Sequence, residues 1–158
     1  MKVQSQITSP GIVDGALRIA FASTDGAKVN QHFGKGMEFW LFDVSKEGFK
    51  KSGKITFTPD EDDDAEHVEK NFVKADALAD CHIVYSLAIG GPVAAKLTQR
   101  KIQPLVVKEE DRIEALLGQF KDMLGSAKVP PWIAKMVNAE TDLSRFDAYD
   151  EDDDDEEE

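Results

Sequence analysis

From residue 65 to residue 124 the apolar pattern alternates between helical stripes and short continuous runs, and no other feature constrains the fold as tightly. Val68, Phe72, Ala75 and Leu78-Ala79 recur at helical spacing and make one stripe. Cys81 to Tyr85 is a short apolar run of strand length. A helix follows over about Val93 to Arg100, with Pro92 in its first turn, where a missing N–H costs nothing. Ile102 to Val107 reads as another strand. Asp111 to Leu124 reads as a final helix, carrying Ile113, Leu116, Leu117, Phe120 and Leu124 on one face and closed by Gly125. Two helical crossovers between strands imply parallel pairing.

The first half reads differently. Leu17 to Ala22 is a buried-type strand, and Glu38 to Val44 is a second. Lys46-Glu47-Gly48 turns the chain into a third strand, Lys51 to Thr58, so these two should form an antiparallel hairpin. The order β-β-β-α-β-α-β-α predicts an α/β fold: a single three-layer domain over 17–125 with a five-stranded mixed sheet. Residues 1–16, broken by Pro10, Gly11 and Gly15, are expected to be a flexible leader. Residues 126–146 form a C-terminal extension with a short helix starting at Pro130-Pro131-Trp132. The acidic run Pro59 to Asp64 reads as a solvated loop capping the first helix, with His67 solvated or capping beside it.

Charge separates the body from its end. The chain carries a net charge of −12, yet residues 147–158 hold ten acidic residues and no basic one. Without them 21 acidic residues face 19 basic ones, so the body is nearly neutral. That tail cannot bury enough apolar surface to fold and is expected to be disordered. No basic stripe suited to nucleic acid is present. No apolar run approaches 18 residues and no signal layout opens the chain, so no membrane role and a cytoplasmic location are expected. The single cysteine, Cys81, excludes an intramolecular disulfide and a four-thiolate metal site.

Function should sit where loops leave the carboxyl ends of the strands. Ser23 to Gly36, STDGAKVNQHFGKG, is long for a strand connection, and it brings one imidazole, His32, a good transition-metal ligand. Ser86 to Pro92 leaves the other central strand and brings the backbone N–H groups of Gly90 and Gly91 at a helix N-terminus, which attract anions. Adjacent parallel strands would make these loops face one pocket. Cys81 begins its strand and so falls at the other end of the sheet; a lone buried cysteine behaves as a small hydrophobe. Phosphate-loop, dinucleotide and nucleophile-elbow motifs are absent, and beyond Glu38 at a strand start Asp43 alone places a carboxylate within a strand. This is the pattern of a binding site, not a reaction centre.

His32-Phe33-Gly34 ends the first loop, Asp80-Cys81 roots the strand after the first helix, Ile89-Gly90-Gly91-Pro92 opens the next helix, and Leu97, Ile102 and Pro104 follow at fixed spacing. In this order the block from Leu17 to Leu124 resembles the dinitrogenase iron–molybdenum cofactor-binding family. The resemblance implies a ribonuclease H-like architecture and a non-catalytic carrier. Such a carrier reversibly binds an iron–sulfur precursor of the iron–molybdenum cofactor and exchanges it with the scaffold complex and the cofactor synthase. It implies His32 as metal ligand, with Asn30, Phe33, Gly34, Ile89, Gly90 and Gly91 around the cargo. Arg18, Lys28 and Lys35 would add positive charge. A second ligand stays open, with Cys81 and Met37 unsupported by spacing. The competing readings are a metal-free small-molecule-binding regulatory domain, a metal-dependent hydrolase and an interaction adaptor.

Overall fold

The computed structural model describes residues 1–8, 11–12, 15–59 and 67–137. The expectations for the acidic run after Pro59, for the side chain of His67 and for the tail 147–158 lie outside the described residues. The elements are β1 (Lys2–Ile7), β2 (Leu17–Ala22), β3 (Lys28–Val29), β4 (Glu38–Ser45), β5 (Gly48–Thr58), α1 (His67–Ala77), β6 (Ile83–Ser86), α2 (Gly91–Gln99), β7 (Gln103–Val106), β8 (Asp111–Arg112), α3 (Ile113–Leu124) and α4 (Pro131–Val137).

The main sheet runs β1-β5-β4-β2-β6-β7, with β2, β6 and β7 parallel and β4 antiparallel between β2 and β5. Six strands stand where five were expected. The extra one is β1, in the stretch expected as a leader, and it pairs antiparallel with β5 from Lys2↔Thr58 to Ile7↔Gly53. Its side chains are almost all exposed, so apolar alternation gave no sign of it. Gly53 permits the close approach, since a Cβ there would sit 2.6 Å from the Gln6 carbonyl oxygen. Without β1 the order is β5-β4-β2-β6-β7. Lys28–Val29 and Asp111–Arg112 form a separate two-stranded ribbon that ties the long loop to the start of α3.

All six residues of β2 are buried, which places it at the centre of the layers. Alternation sends Ala20 and Ala22 to the cluster of Ala75, Leu78, Val93 and Leu97 under α1 and α2. It sends Leu17, Ile19 and Phe21 to the cluster of Leu116, Leu117, Phe120 and Ile133 under α3 and α4. Arg18 shares the α1/α2 side and is 2% exposed. The register sets it opposite Asp43, and its Nε and Nη2 donate to the two carboxylate oxygens at 2.8 and 3.0 Å. The carboxylate holds the guanidinium charged beyond its usual range. Arg18 therefore serves the sheet interior, which corrects the expectation that it would lend charge to the loop site.

Removing one member of a buried pair leaves the other charge uncompensated. Asp43→Ala should cost about 3 kcal/mol or more, read as a lower urea midpoint. The apolar pair Arg18→Met with Asp43→Leu should cost less than Asp43→Ala by itself.

Candidate functional site

β2 and β6 are parallel neighbours, so the chain leaves both at the same end of the sheet. The two loops lie side by side and are joined by backbone bonds. Leu87 N–H donates to the Gln31 carbonyl at 2.9 Å, and Phe33 N–H donates to the Ala88 carbonyl at 2.8 Å. His32 lies between these two fastened residues and is exposed. Its own carbonyl accepts from Lys35 N–H at 3.2 Å, which curls the chain into a tight turn.

Phe33 anchors that turn. Its ring is fully buried in the α1/α2 cluster, 5.3 Å from the Phe39 ring. Burying the ring also takes the Phe33 carbonyl out of water, and a buried carbonyl needs donors. Gly36 N–H supplies one at 3.3 Å, and the Lys74 Nζ supplies another at 3.1 Å while also donating to the Gly34 carbonyl at 2.9 Å. Lys74 is 1% exposed, and desolvation lowers its pKa to about 8. Asn71, one turn earlier on α1, lies against Gly34, with its side-chain nitrogen 3.5 Å from where a Gly34 Cβ would be. Lys74 is not among the residues that the loop motifs single out. The signal was its place four residues before Leu78, on the buried stripe of α1.

The start of the long loop is shaped by short polar side chains. The Asp25 carboxylate accepts from Ala27 and Lys28 N–H at 2.9 and 3.2 Å, and these bonds hold its pKa below the usual carboxylate value. Asn30 closes the loop, accepting from Thr24 N–H at 3.0 Å and donating to Thr24 Oγ1 at 2.9 Å. Its side chain is thus engaged within the loop. On the second loop, the Ser86 hydroxyl donates to the Ala88 carbonyl at 3.1 Å. Ile89 packs against the core, while Gly90 and Gly91 are exposed. Gly90 caps α2 with extended backbone, no side-chain cap and no acidic residue in the first turn. A Cβ added at Gly91 would meet nothing within 4 Å, so the approach to this helix end is open.

Of the residues the sequence singled out, the structure brings His32, Gly34, Gly90 and Gly91 to the surface at one end of the sheet. Phe33, Asn30 and Ile89 build that end from within. Cys81 is elsewhere. It precedes β6 and is buried, and burial pushes its thiol up to about 12. Together with Ser5, Ile7, Arg18 and Asp80 it lines a cavity of about 160 Å³ at the opposite sheet end. Among the described residues, no group of three His, Cys, Asp or Glu side chains is placed to hold a metal ion.

Two fastened loops thus bring an exposed histidine and a bare helix N-terminus to one end of the sheet. The profile of the family described as dinitrogenase iron-molybdenum cofactor matches residues 15–123, and the chain belongs to that family. It is 36% identical to protein NifX of Sinorhizobium fredii over 127 residues, covering 78% of this chain and 79% of that one. With NifX of Rhodobacter capsulatus it shares 32% identity, covering 77% of each chain. With NifY of Klebsiella pneumoniae it shares 31% identity over 82% of this chain, which spans 55% of that longer protein.

The depressed pKa of Lys74 has a definite sign. The unfolded chain keeps this proton up to about 10.5, and the folded chain releases it near 8, so between these values unfolding takes up a proton. Stability from this group therefore rises as pH increases through that window and is lost as pH falls to about 8. The neutral amine still donates to both carbonyls. The difference in urea midpoint between the wild type and Lys74→Met should grow in favour of the wild type from about pH 8 to about pH 10.5. A difference that stays flat would mean that Lys74 titrates normally.

Proposed function

We propose that this protein is a non-catalytic accessory of nitrogenase cofactor assembly. In this reading it takes up an anionic iron–sulfur precursor of the iron–molybdenum cofactor on the His32 turn and yields it again to the assembly machinery. The observation that carries the reading is the exposure of His32 between two backbone positions hydrogen-bonded to the second loop.

The residues present suit such a cargo. An imidazole supplies one bond to iron, and first-row metals accept it readily. The uncapped N-terminus of α2 offers N–H groups and the positive end of a helix dipole to cluster sulfides. Gly34, Gly90 and Gly91 keep side chains out of the approach, and Lys28 and Lys35 are exposed on the same long loop. A single imidazole with a few N–H donors binds less firmly than a cage of thiolates. A carrier needs that weakness, because its cargo has to leave. The proposed partners are the scaffold that builds the precursor and the synthase that supplies it. Family membership supports this reading, and so do NifX and NifY among the relatives.

The test is an anaerobic titration with the iron–sulfur precursor, following iron-linked absorbance that travels with the protein. His32→Ala should weaken binding about 10-fold or more, since even supporting residues around a metal commonly cost that much. The thermal midpoint should hardly change, because the side chain is exposed. Full binding by His32→Ala would move the ligand elsewhere, and no binding by the wild type would end the carrier reading.

A further inference from the structure

Away from the His32 turn, one half of a sheet face carries an arrangement that the proposed function does not use. Trp40 projects from the α3/α4 side of β4, as does Phe42 two residues on. The Lys51 and Lys54 ammonium groups lie 4.6 and 4.9 Å from the Trp40 ring centroid. Three residues apart on a regular strand, two side chains would point to opposite faces. They share one here because the β4–β5 register shifts at Leu41/Phe42, with Lys51 opposite Phe42, Gly53 opposite Leu41 and Ser52 as the extra residue. The indole is fixed in turn. Its N–H donates to the Ser23 carbonyl at 3.2 Å, and Gly26, at φ 73°, lies so close that a Cβ would come within 2.7 Å of the ring.

Two like charges at one ring are unfavourable unless an anion joins them. Among the described residues no carboxylate lies within ion-pairing distance of Lys51 or Lys54. The register places Lys2 further along the same face, opposite Thr58, and one acid, Glu38, opposite Thr56. In a chain of net charge −12 this is a local surplus of positive charge.

We propose that this lysine-flanked tryptophan face is the docking site of the chain's own acidic segment, residues 147–158. Charge complementarity selects the occupant, since the segment carries ten carboxylates and no base. Its path is short. Ile133, Met136 and Val137 of α4 pack on the same side of the sheet as Trp40, and nine residues, 138–146, separate Val137 from the segment. Nine residues reach about 30 Å, against a radius of gyration of about 13 Å for a domain of this size. Tethering supplies the segment at an effective concentration of about 1 mM, enough to fill a weak site. Docked there, it would cover the sheet surface beside the Ser23–Gly26 end of the functional loop.

Trp40 is its own reporter once the other tryptophan is replaced by Trp132→Phe. Acrylamide, an uncharged quencher, reads coverage of the ring without responding to charge. Removing residues 147–158 should raise quenching about twofold at low salt, and so should Lys51→Gln with Lys54→Gln in the full chain. About 0.5 M salt should bring the full chain to the same value, and the synthetic segment added at about 1 mM should restore protection to the shortened chain. Equal quenching with and without the segment would overturn the proposal. So would a difference that survives the lysine replacements, or one that vanishes on dilution and so belongs to a second copy. Protection of Trp40 by a single-stranded oligonucleotide, equal in full and shortened chains, would give the face to another ligand and equally overturn it.

Discussion

The structure turns on the burial of Phe33. A phenyl ring in the core contributes a few kcal/mol of apolar burial. It also fixes the chain on either side of it, at the far end of the loop from the Asp25 and Asn30 bonds. The backbone that follows the ring inward cannot be left without partners. Its N–H takes the carbonyl of the neighbouring loop, and its carbonyl takes a lysine from α1. One aromatic side chain thus connects the loop, its neighbour and a helix. His32 needs no support of its own, because its neighbours on both sides are held.

Lys74 shows how far the fold goes to maintain this turn. A buried ammonium with no carboxylate partner among the described residues is a costly donor, as its lowered pKa indicates. Two carbonyls at hydrogen-bond distance offset part of that cost. Arg18 is the contrasting case, since its charge is matched in-register by Asp43. Both cations are buried on the α1/α2 side of the sheet. One maintains the turn that presents His32, and the other maintains strand pairing at the far end.

Much of this was legible in order along the chain. The long loop, the strand and helix sequence, the parallel second half and the candidate imidazole all follow from periodicity and turn residues. The strand β1 was not legible, because exposed side chains on an edge strand carry no apolar alternation and its pairing is a matter of backbone. Asn30 and Phe33 were named with the site, yet they act by shaping it. An amide that closes its own loop and an aromatic that enters the core look the same in sequence as ones that touch a ligand.

The sequence by itself determined the layers, the antiparallel hairpin of the first half and the parallel pairing of the second, because these depend on local periodicity and on short connections. It also determined that the chain has a single cysteine and that the long loop carries a single histidine. Tertiary structure decided the rest. It placed β2 beside β6 so that the two loops meet, drew Lys74 from a helix to two carbonyls of the loop, and brought Lys51 and Lys54 onto one face through a single bulged residue. Each depends on register or on an approach between distant segments. Those distances exist only after the chain has folded.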